Sequence, residues 1–240
     1  MSMQSGGHTP APARDKRSLL RAHPFFKDVS DTVIDMIAMR AVTRQVKKGT
    51  LLFRKGDAGP RLYAVCAGTV RISAPSEEGK DTIFRLIPAG EIFGEIAFLD
   101  GGERTADAAT VEDSELMMIE RRDFLPLLQR YPELATRLIE ILCQRLRRTS
   151  EQVEDVVFLG LPDRLAKALL QLSQNVATPS ARGRIRITQR EISQMIGVSR
   201  ESANKQLREW QRKKWLRLER GGVVILAPES LDAIVSKSHE

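Results

Sequence analysis

The hydrophobic positions divide the chain into a β-rich first half and a helical second half. Between residues 18 and 40 the apolar side chains recur at helical spacing, with a break at His23-Pro24. From Val42 onward the pattern changes to short runs rich in β-branched and aromatic residues, such as TLLF, RLYAVCAG, TVRISA and TIFRLI. Regular short strands separated by turn residues predict a β-sandwich, roll or barrel.

A long helix follows the β-rich segment. Proline suits the first turn of a helix, so Tyr131-Pro132 marks its start, and helical spacing continues to about Phe158. Apart from a gap at Arg145-Leu146, positions three and four residues apart form a heptad-like seam, made of Ala135, Leu138, Leu142, Thr149, Val153 and Val156. The stripe could lie on the helix's own β domain, but a helix this long needs more partner surface than one small domain supplies. The pattern therefore favours a parallel homodimer.

The segment TQREISQMIGVSRESANKQLREWQRK predicts two short helices joined by a tight turn. Thr188 and Glu191 form a capping box for the first helix, Gly197 permits the turn, and Ser199 can cap the second helix. The apolar side of the second helix consists of Ala203, Leu207 and Trp210. Caps, spacing, turn glycine and core positions together are typical of a helix–turn–helix.

The opposite face of the second helix predicts contacts to DNA bases. It presents Arg200, Glu201, Asn204, Lys205 and Arg208 on one stripe that can enter a major groove. Arginine and lysine suit guanine, and glutamate can accept from the amino group of cytosine. A solvated charged face is the alternative, which the motif around the stripe disfavours. Further DNA contacts are predicted for Thr188, Gln189 and Ser199 at the helix starts.

The segments on either side of this motif complete a winged domain. Before it, a hinge is predicted at Leu159–Pro162, then an amphipathic helix, a polar loop from Asn175 to Gly183 and the short strand RIRI. After it, the chain from Leu216 to Leu226 predicts a hairpin, the wing of a winged helix. Arg217 and Arg220 on this wing are expected to contact phosphates.

The charge distribution agrees with binding to nucleic acid. The net charge is +7, and residues 182–220 hold twelve Lys/Arg against four Glu, so this segment carries about +8 and the rest about −1. A concentrated basic region beside a neutral body is expected of a nucleic-acid-binding domain.

Other features of the composition exclude several classes of protein. No apolar run approaches the ~20 residues that span a bilayer, and the N-terminus has no apolar stretch for a signal sequence. Cys66 and Cys143 lack metal-ligand spacing, so we expect no metal site and no disulfide framework. The chain shows no nucleophile–base constellation and no Walker loop, so it predicts no enzyme. We expect a cytoplasmic protein without a membrane partner.

The stretch GEIFGEIAFLDGGERTADAA, at residues 90–109, predicts a pocket for a small phosphorylated ligand. Gly94-Glu95-Ile96 can open a short helix whose free N–H groups favour an anion. Arg104 can pair bidentately with the same phosphate. Glu95 can accept a hydrogen bond from a sugar hydroxyl. On spacing alone, an ordinary turn with a surface arginine is an equal alternative.

In these motifs the chain resembles the Crp/Fnr family of bacterial transcription regulators, from about residue 25 to residue 228. The residues 90–110 resemble the phosphate-binding cassette of that family, which holds a cyclic nucleotide. The resemblance implies that Glu95 holds the ribose 2′-hydroxyl and that Arg104, with its neighbours, holds the cyclic phosphate. The residues that it assigns to this cassette are Gly94, Glu95, Ile96, Arg104, Thr105 and Ala106.

The resemblance also extends the pocket beyond the cassette. It implies that Ile72, Phe84 and Ile87 line the pocket with apolar groups. RLRRTSEQV resembles the family's central helix, which implies that Thr149 and Ser150 of the two subunits contact the base and that Arg145 approaches the phosphate. A base bound at the dimer seam would couple the ligand to the helix arrangement.

The predicted architecture is α+β and has four parts. They are a disordered leader (1–17), a cyclic-nucleotide-binding β-roll of jelly-roll type (18–130), a dimerisation helix (131–159) and a winged helix–turn–helix domain (160–240). The resemblance implies cyclic AMP as the effector or, since in cyclic-nucleotide domains a threonine at the position of Thr105 can meet the guanine amino group, cyclic GMP. No other cofactor is expected. Expected partners are double-stranded DNA, a second copy of the chain and RNA polymerase.

Two alternative functions share part of this pattern. The β domain could sense another signal, for example redox state through Cys66 or Cys143, but the intact cassette disfavours this. A regulatory module of a channel or kinase is the other alternative, which the helix–turn–helix and the missing membrane span exclude.

Overall fold

The computed structural model describes residues 15–75, 81–174 and 184–237. Within these ranges, four α-helices and a β-roll form an N-terminal domain, one long helix follows, and a smaller α/β unit forms the C-terminal domain. The predicted α+β class is confirmed. The predicted leader differs at its end, because helix α1 (Lys16–Ala22) already begins at Lys16, where Asp15 accepts a hydrogen bond from the Ser18 N–H. Residues 1–14 lie outside the described residues.

The β-roll consists of two antiparallel sheets. Its strands are β1 (Val42–Val46), β2 (Leu51–Phe53), β3 (Arg61–Ala67), β4 (Thr69–Pro75), β5 (Asp81–Pro88), β6 (Ile92–Phe93), β7 (Asp107–Thr110) and β8 (Ser114–Glu120). Among the described residues, one sheet has the order β1-β8-β3-β6 and the other has the order β2-β7-β4-β5. Apolar residues from both sheets, including Val65, Val70 and Leu116, pack between them. This core holds the sheets together as the two walls of the roll.

Helices cover the outer side of the first sheet. They are α1, α2 (Asp31–Arg40), the short α3 (Glu95–Asp100), α4 (Arg121–Arg130) and the start of α5 (Pro132–Phe158). Their apolar faces share a cluster with strand residues such as Leu62 and Met117. The predicted start and end of the long helix agree with the structure, since α5 begins at Pro132 and ends at Phe158.

The long helix uses two different faces. Leu134 and Leu138 are buried against the roll, so the assignment of Leu138 to the dimer seam is wrong. The exposed stripe instead contains Ile139, Leu146 and Val153, and Leu146 fills the apparent gap in the seam. The helix rotates Leu138 inward because the cluster around α2 and α4 takes up that face.

The C-terminal domain has the predicted winged arrangement. Its elements are α6 (Leu161–Gln174), β9 (Arg184–Ile185), α7 (Gln189–Ile196), α8 (Arg200–Arg212), β10 (Leu216–Glu219), β11 (Gly222–Ile225) and α9 (Pro228–Lys237). Thr188 and Glu191 form both halves of the capping box, and Gly197 adopts a left-handed conformation (φ 68°) at the turn. Both predicted caps are confirmed, since Ser199 accepts from the Ser202 N–H. The whole of the predicted polar loop, at 175–183, lies outside the described residues.

The two domains touch each other through β5. Leu86 on β5 packs against the apolar cluster of the C-terminal domain, which contains Ile192 and Ile196 of α7. Lys167 of α6 forms an ion pair with Asp155 of α5 (2.7 Å) across the break between these helices. The sheet that contains β5 therefore supports the first helix of the helix–turn–helix.

Candidate functional site

A cleft of about 1880 Å³ runs along the β-roll, the middle of α5 and the near side of the C-terminal domain. It brings together most residues of the predicted ligand pocket: Ile72, Phe84, Ile87, Gly94, Glu95, Ile96, Arg104, Thr105, Ala106, Arg145 and Thr149. Ser150 does not line this cleft, and its hydroxyl donates to the Leu146 carbonyl (3.1 Å). The chain thus folds residues from four separate segments onto one surface.

Arg104 lies buried beside the start of α3. Its guanidinium donates to the carbonyls of Gly94 and Arg61, both at 2.7 Å, and lies 4.1 Å from the ring centroid of Phe53. A Cβ on Gly94 would lie 2.5 Å from Arg104 Nη1, and Gly94 has φ 80°, so this position requires glycine. Burial lowers the pKa of the Arg104 guanidinium, and nearby Tyr63 and Glu95 oppose this shift.

Glu95 and Arg145 form an ion pair across the cleft. The Glu95 side chain is 6% exposed and that of Arg145 is 19% exposed, so the pair is largely shielded from water. Arg145 also donates to the Ile92 carbonyl, which fixes α5 against the edge of the roll. The predicted sugar-binding and phosphate-binding groups therefore contact each other directly.

Among the described residues, three buried arginine donors of the cleft lack a hydrogen-bond partner; two belong to predicted ligand-binding residues, and the third is Arg71 Nε. Within the described residues, neither Arg104 Nε nor Arg145 Nε has a hydrogen-bond partner. A buried donor without a partner is unfavourable, so it indicates an acceptor that is supplied from outside the chain. Both atoms belong to side chains of the cleft, and both donors carry positive charge. The arrangement can bind an anion.

A second ion pair, which the sequence did not indicate, joins Arg85 to Glu91. Both side chains are partly buried, and both residues line the cleft. Burial lowers the pKa of the Arg85 guanidinium, Glu91 opposes this shift, and Arg145 and Arg148 add to it. No local motif could have revealed the pair, because a single Arg on a strand and a Glu in a turn are common in any sequence.

The apolar and polar positions predicted around the base have unequal exposure. Ile87 is buried in the core of the roll, whereas Phe84 is 46% exposed at the cleft edge. Thr105 is exposed next to buried Arg104 and Ala106. Thr149 lies on the exposed surface of α5. A ligand in the cleft could therefore reach Thr105 and Thr149 without disturbing the core.

The DNA-contact residues predicted on α8 lie together on its outer side. Arg200, Glu201, Lys205 and Arg208 are exposed, and Asn204 is half-buried. The inner side carries Ala203, Leu207 and Trp210, which are all buried as predicted. Because the two faces of α8 are separated in this way, a single charged ridge points away from the domain.

The remaining predicted DNA contacts lie at the starts of α7 and α8 and on the wing. Arg217 and Arg220 are exposed on the wing, and Arg217 pairs with Glu219 at 3.1 Å. Thr188 is exposed, but its hydroxyl is engaged by Glu191 in the capping box. Gln189 is half-buried at the first position of α7, and Ser199 is exposed at the cap of α8. Thr188, Arg217 and Arg220 line the same cleft as the predicted ligand pocket, so their contact with DNA stays a prediction.

Among the described residues, no cluster of His, Cys, Asp or Glu could hold a metal ion. In the same part of the chain, no helix combines the length and the apolar character that crossing a bilayer requires.

Comparison with known families assigns both halves of the chain. Residues 43–131 match the family "Cyclic nucleotide-binding domain", and residues 163–234 match the family "Crp-like helix-turn-helix domain". The first range contains the whole cassette with Glu95 and Arg104, and the second contains α7, α8 and the wing.

Similar proteins cover nearly the full length of the chain. A CRP-like cAMP-activated global transcriptional regulator from Mycobacterium tuberculosis is 33% identical, over 82% of this chain and 92% of its own. A cyclic AMP receptor protein from Thermus thermophilus is 31% identical, over 90% of this chain and 98% of its own. Among solved structures, the c-di-GMP responsive global regulator CLP of Xanthomonas campestris shares the fold, with a TM-score of 0.73 and 24% identity over 82% of this chain and 99% of its own.

The chain thus carries a cyclic nucleotide-binding domain, a long helix and a helix–turn–helix in the order of its relatives, so it belongs to the CRP/FNR family of DNA-binding transcription regulators.

Proposed function

We propose that this regulator is switched by a cyclic nucleotide, either cyclic AMP or cyclic GMP, bound in the cleft between the β-roll and α5. The observation that carries the proposal is the pair of unpartnered buried donors, Arg104 Nε and Arg145 Nε, in one cleft with Glu95. Both curated relatives described above are named for cyclic AMP, which supports the same class of ligand.

The cyclic phosphate is proposed to bind at Arg104. Its Nε–H can donate to one phosphate oxygen, while the N–H groups at the start of α3 donate to another. Gly94, Ile96, Thr105 and Ala106 also line the cleft, and they are proposed to surround the phosphate. The stacking of Arg104 on Phe53 keeps the guanidinium in place before the ligand arrives.

The ribose and base are proposed to extend from there towards α5. Glu95 would accept a hydrogen bond from the 2′-hydroxyl with the carboxylate oxygen that does not bind Arg145. The base would lie between the apolar side chains of Ile72, Phe84 and Ile87 and the polar Thr149. Ser150 would reach the base only from the partner subunit, since within one chain it does not line the cleft.

The dimer is proposed to form along the exposed stripe of α5. Ile139, Leu146, Val153 and Val156 are all exposed and recur at intervals of seven and three. A parallel helix from a second copy would cover them, as in a coiled coil. A nucleotide that contacts Arg145 and Thr149 would then bias the position of the two helices.

The response is proposed to be sequence-specific binding of double-stranded DNA. Two α8 helices of a dimer would read the two halves of a palindromic site, with Arg217 and Arg220 on adjacent phosphates. RNA polymerase is the expected downstream partner, and the site of action is the cytoplasm, where the DNA is. The proposed mechanism involves no catalytic step.

Calorimetric titration of the full-length protein with cyclic AMP and with cyclic GMP tests the proposal. We expect saturable binding of at least one ligand and no binding to the Arg104→Gln variant. A matched control is Arg122→Gln, since Arg122 is exposed on α4 outside the cleft. If neither nucleotide binds, the proposed ligand is wrong. The protein would then be a regulator of the same family that senses another signal.

A further inference from the structure

The part of the cleft wall that the phosphate and ribose contacts leave unused carries the ion pair between Arg85 and Glu91. Arg85 lies on β5 directly opposite Ile72 of β4. Ile72 packs against the apolar core inside the roll. Directly paired residues of two strands project to the same face of a sheet, so Arg85 projects towards the inside of the roll.

Glu91 holds Arg85 from a fixed position. The Gly90 N–H donates to the Val65 carbonyl (2.8 Å), and the Val65 N–H donates to the Glu91 carbonyl (2.9 Å). The next residue, Ile92, accepts from Arg145 through its carbonyl. The Arg85–Glu91 pair therefore lies beside the Glu95–Arg145 pair, on the side of the cleft that borders α5.

The electrostatic surroundings favour a ligand group that accepts hydrogen bonds. Arg145 and Arg148 both act on Arg85 as like charges, and two carboxylates, Glu91 on Arg85 and Glu95 on Arg145, face these three guanidinium groups. Arg85 remains charged, because an arginine is not deprotonated in proteins. This part of the cleft therefore offers donors and a positive potential.

Guanine and adenine differ at the edge that the Arg85 guanidinium would contact. Guanine presents two acceptors, O6 and N7, which a guanidinium can bind with two parallel hydrogen bonds. Adenine presents one acceptor, N7, and the N6 amino group, whose hydrogens would face the N–H groups of the guanidinium. Because Glu91 already fixes the orientation of Arg85, little side-chain freedom is lost on binding.

We propose that Arg85, positioned by Glu91, reads the nucleobase in the cleft and selects guanine against adenine. The inference rests on the proposed function, since it assumes a cyclic nucleotide in this cleft. It adds a specificity-determining residue on β5 to the contacts that were assigned to the cassette and to α5.

Calorimetry with cyclic GMP, cyclic AMP and cyclic IMP on the full-length protein tests the assignment. We expect Arg85→Ala to weaken the binding of cyclic GMP by about 10- to 100-fold and to change the affinity for cyclic AMP by less than about threefold. Cyclic IMP keeps O6 and N7 but lacks the 2-amino group, so it should lose affinity with Arg85→Ala as cyclic GMP does. Cyclic IMP therefore distinguishes a contact between Arg85 and O6 or N7 from a contact between Thr105 and the 2-amino group.

Matched variants separate base reading from a general role in folding. Arg85→Lys keeps the charge and the aliphatic part of the side chain but cannot donate two parallel hydrogen bonds to guanine. The preference for cyclic GMP over cyclic AMP should therefore fall. Glu91→Gln should reduce the selectivity in part, because Arg85 loses its fixed orientation. Arg122→Ala removes the same charge outside the cleft and should leave the ratio of the two affinities unchanged.

Two results would overturn the assignment. An equal loss for cyclic GMP and cyclic AMP in Arg85→Lys, with the melting temperature unchanged, would place Arg85 on the phosphate. An unchanged ratio of the affinities for cyclic GMP and cyclic AMP in every Arg85 variant would show that Arg85 does not contact the base. Failure of the wild-type protein to bind either nucleotide would instead refute the proposed function itself, so the two failures can be told apart.

Discussion

Glu95 at the start of α3 and Arg145 in the middle of α5 form an ion pair although fifty residues separate them in the chain. The pair joins the nucleotide cassette to the helix that carries the exposed apolar stripe. A ligand that binds to either side chain therefore acts on both parts of the molecule. The contact gives the proposed switch a physical route from the pocket to the helix of the proposed dimer.

The stability of the protein should depend on this pair. Replacing Glu95 with Gln leaves the charge of Arg145 without its carboxylate in a largely buried position. We expect the free energy of unfolding to fall by about 3 kcal/mol, the lower end of the range for breaking a buried pair, since Arg145 keeps some contact with water. Urea denaturation followed by circular dichroism measures the change.

The control for this prediction lies on the same helix. Arg137 pairs with Asp28 at 2.5 Å and with Glu140 at 3.0 Å, but these carboxylates are exposed. Arg137→Ala should lower the stability by no more than about 1 kcal/mol. Equal losses in the two variants would show that the shielding of the Glu95–Arg145 pair has no energetic consequence.

Oligomerisation should depend on Leu146, whose side chain is 69% exposed on α5. A glutamate at this position would place a charge in the proposed seam of each helix, so Leu146→Glu should sediment as a monomer. Binding to a palindromic DNA site should weaken by about 100-fold or more, because one molecule then engages only one half-site. Analytical ultracentrifugation and fluorescence anisotropy measure the two effects.

Gln144 provides a matched control on the same helix. It is exposed on the side of α5 that lies away from the stripe, so Gln144→Glu should remain a dimer. A monomeric wild-type protein, or a dimeric Leu146→Glu variant, would place the dimer interface elsewhere.

The two groups of predicted DNA contacts should respond differently to mutation. Arg200→Ala should relax the sequence preference, by about 1–3 kcal/mol per half-site at the affected base pair. Arg220→Ala should weaken binding to all sequences alike and lower the slope of log affinity against log salt by about 1. Competition gel shifts at several salt concentrations separate these outcomes. A uniform loss for Arg200→Ala would reassign that side chain to a phosphate.

Stability should also decrease in mildly acidic solution because of His23. Its ring is buried and contacts the Glu91 carbonyl at 3.4 Å through Nε2, and burial lowers its pKa from the ordinary value of 6.5. The unfolded chain therefore takes up a proton near pH 6.5, while the folded chain takes it up only at lower pH. The stabilisation is complete above pH 6.5 and is lost as the pH falls through the folded-state pKa.

The His23→Gln variant tests this linkage. Glutamine has no titrating group, so the loss of unfolding free energy between pH 7.5 and pH 5.5 should be smaller than in the wild type. Most carboxylates titrate below this window, which isolates the contribution of histidine. The same pH dependence in both proteins would assign the effect to other groups.

Much of the architecture followed from local patterns. The capping box at Thr188, the turn at Gly197 and the cap at Ser199 depend on residues only three or four positions apart, so the sequence could predict the helix–turn–helix. Pro132 marked the start of the long helix for the same reason. The cassette with Glu95 and Arg104 was also visible, because its residues, from Gly94 to Ala106, lie within twelve positions of each other.

The tertiary structure decided which of these residues meet and which face of each element is covered. Leu138 and Leu146 are equally apolar, yet only Leu138 is buried, because α5 rotates to fill the cluster around α2 and α4. Arg85 and Glu91 meet only in the folded chain, because the antiparallel register of β4 and β5 turns Arg85 to the inside of the roll. Local sequence determines propensities and caps over a few residues, whereas the neighbours of a side chain depend on how distant segments pack, which no spacing along the chain records.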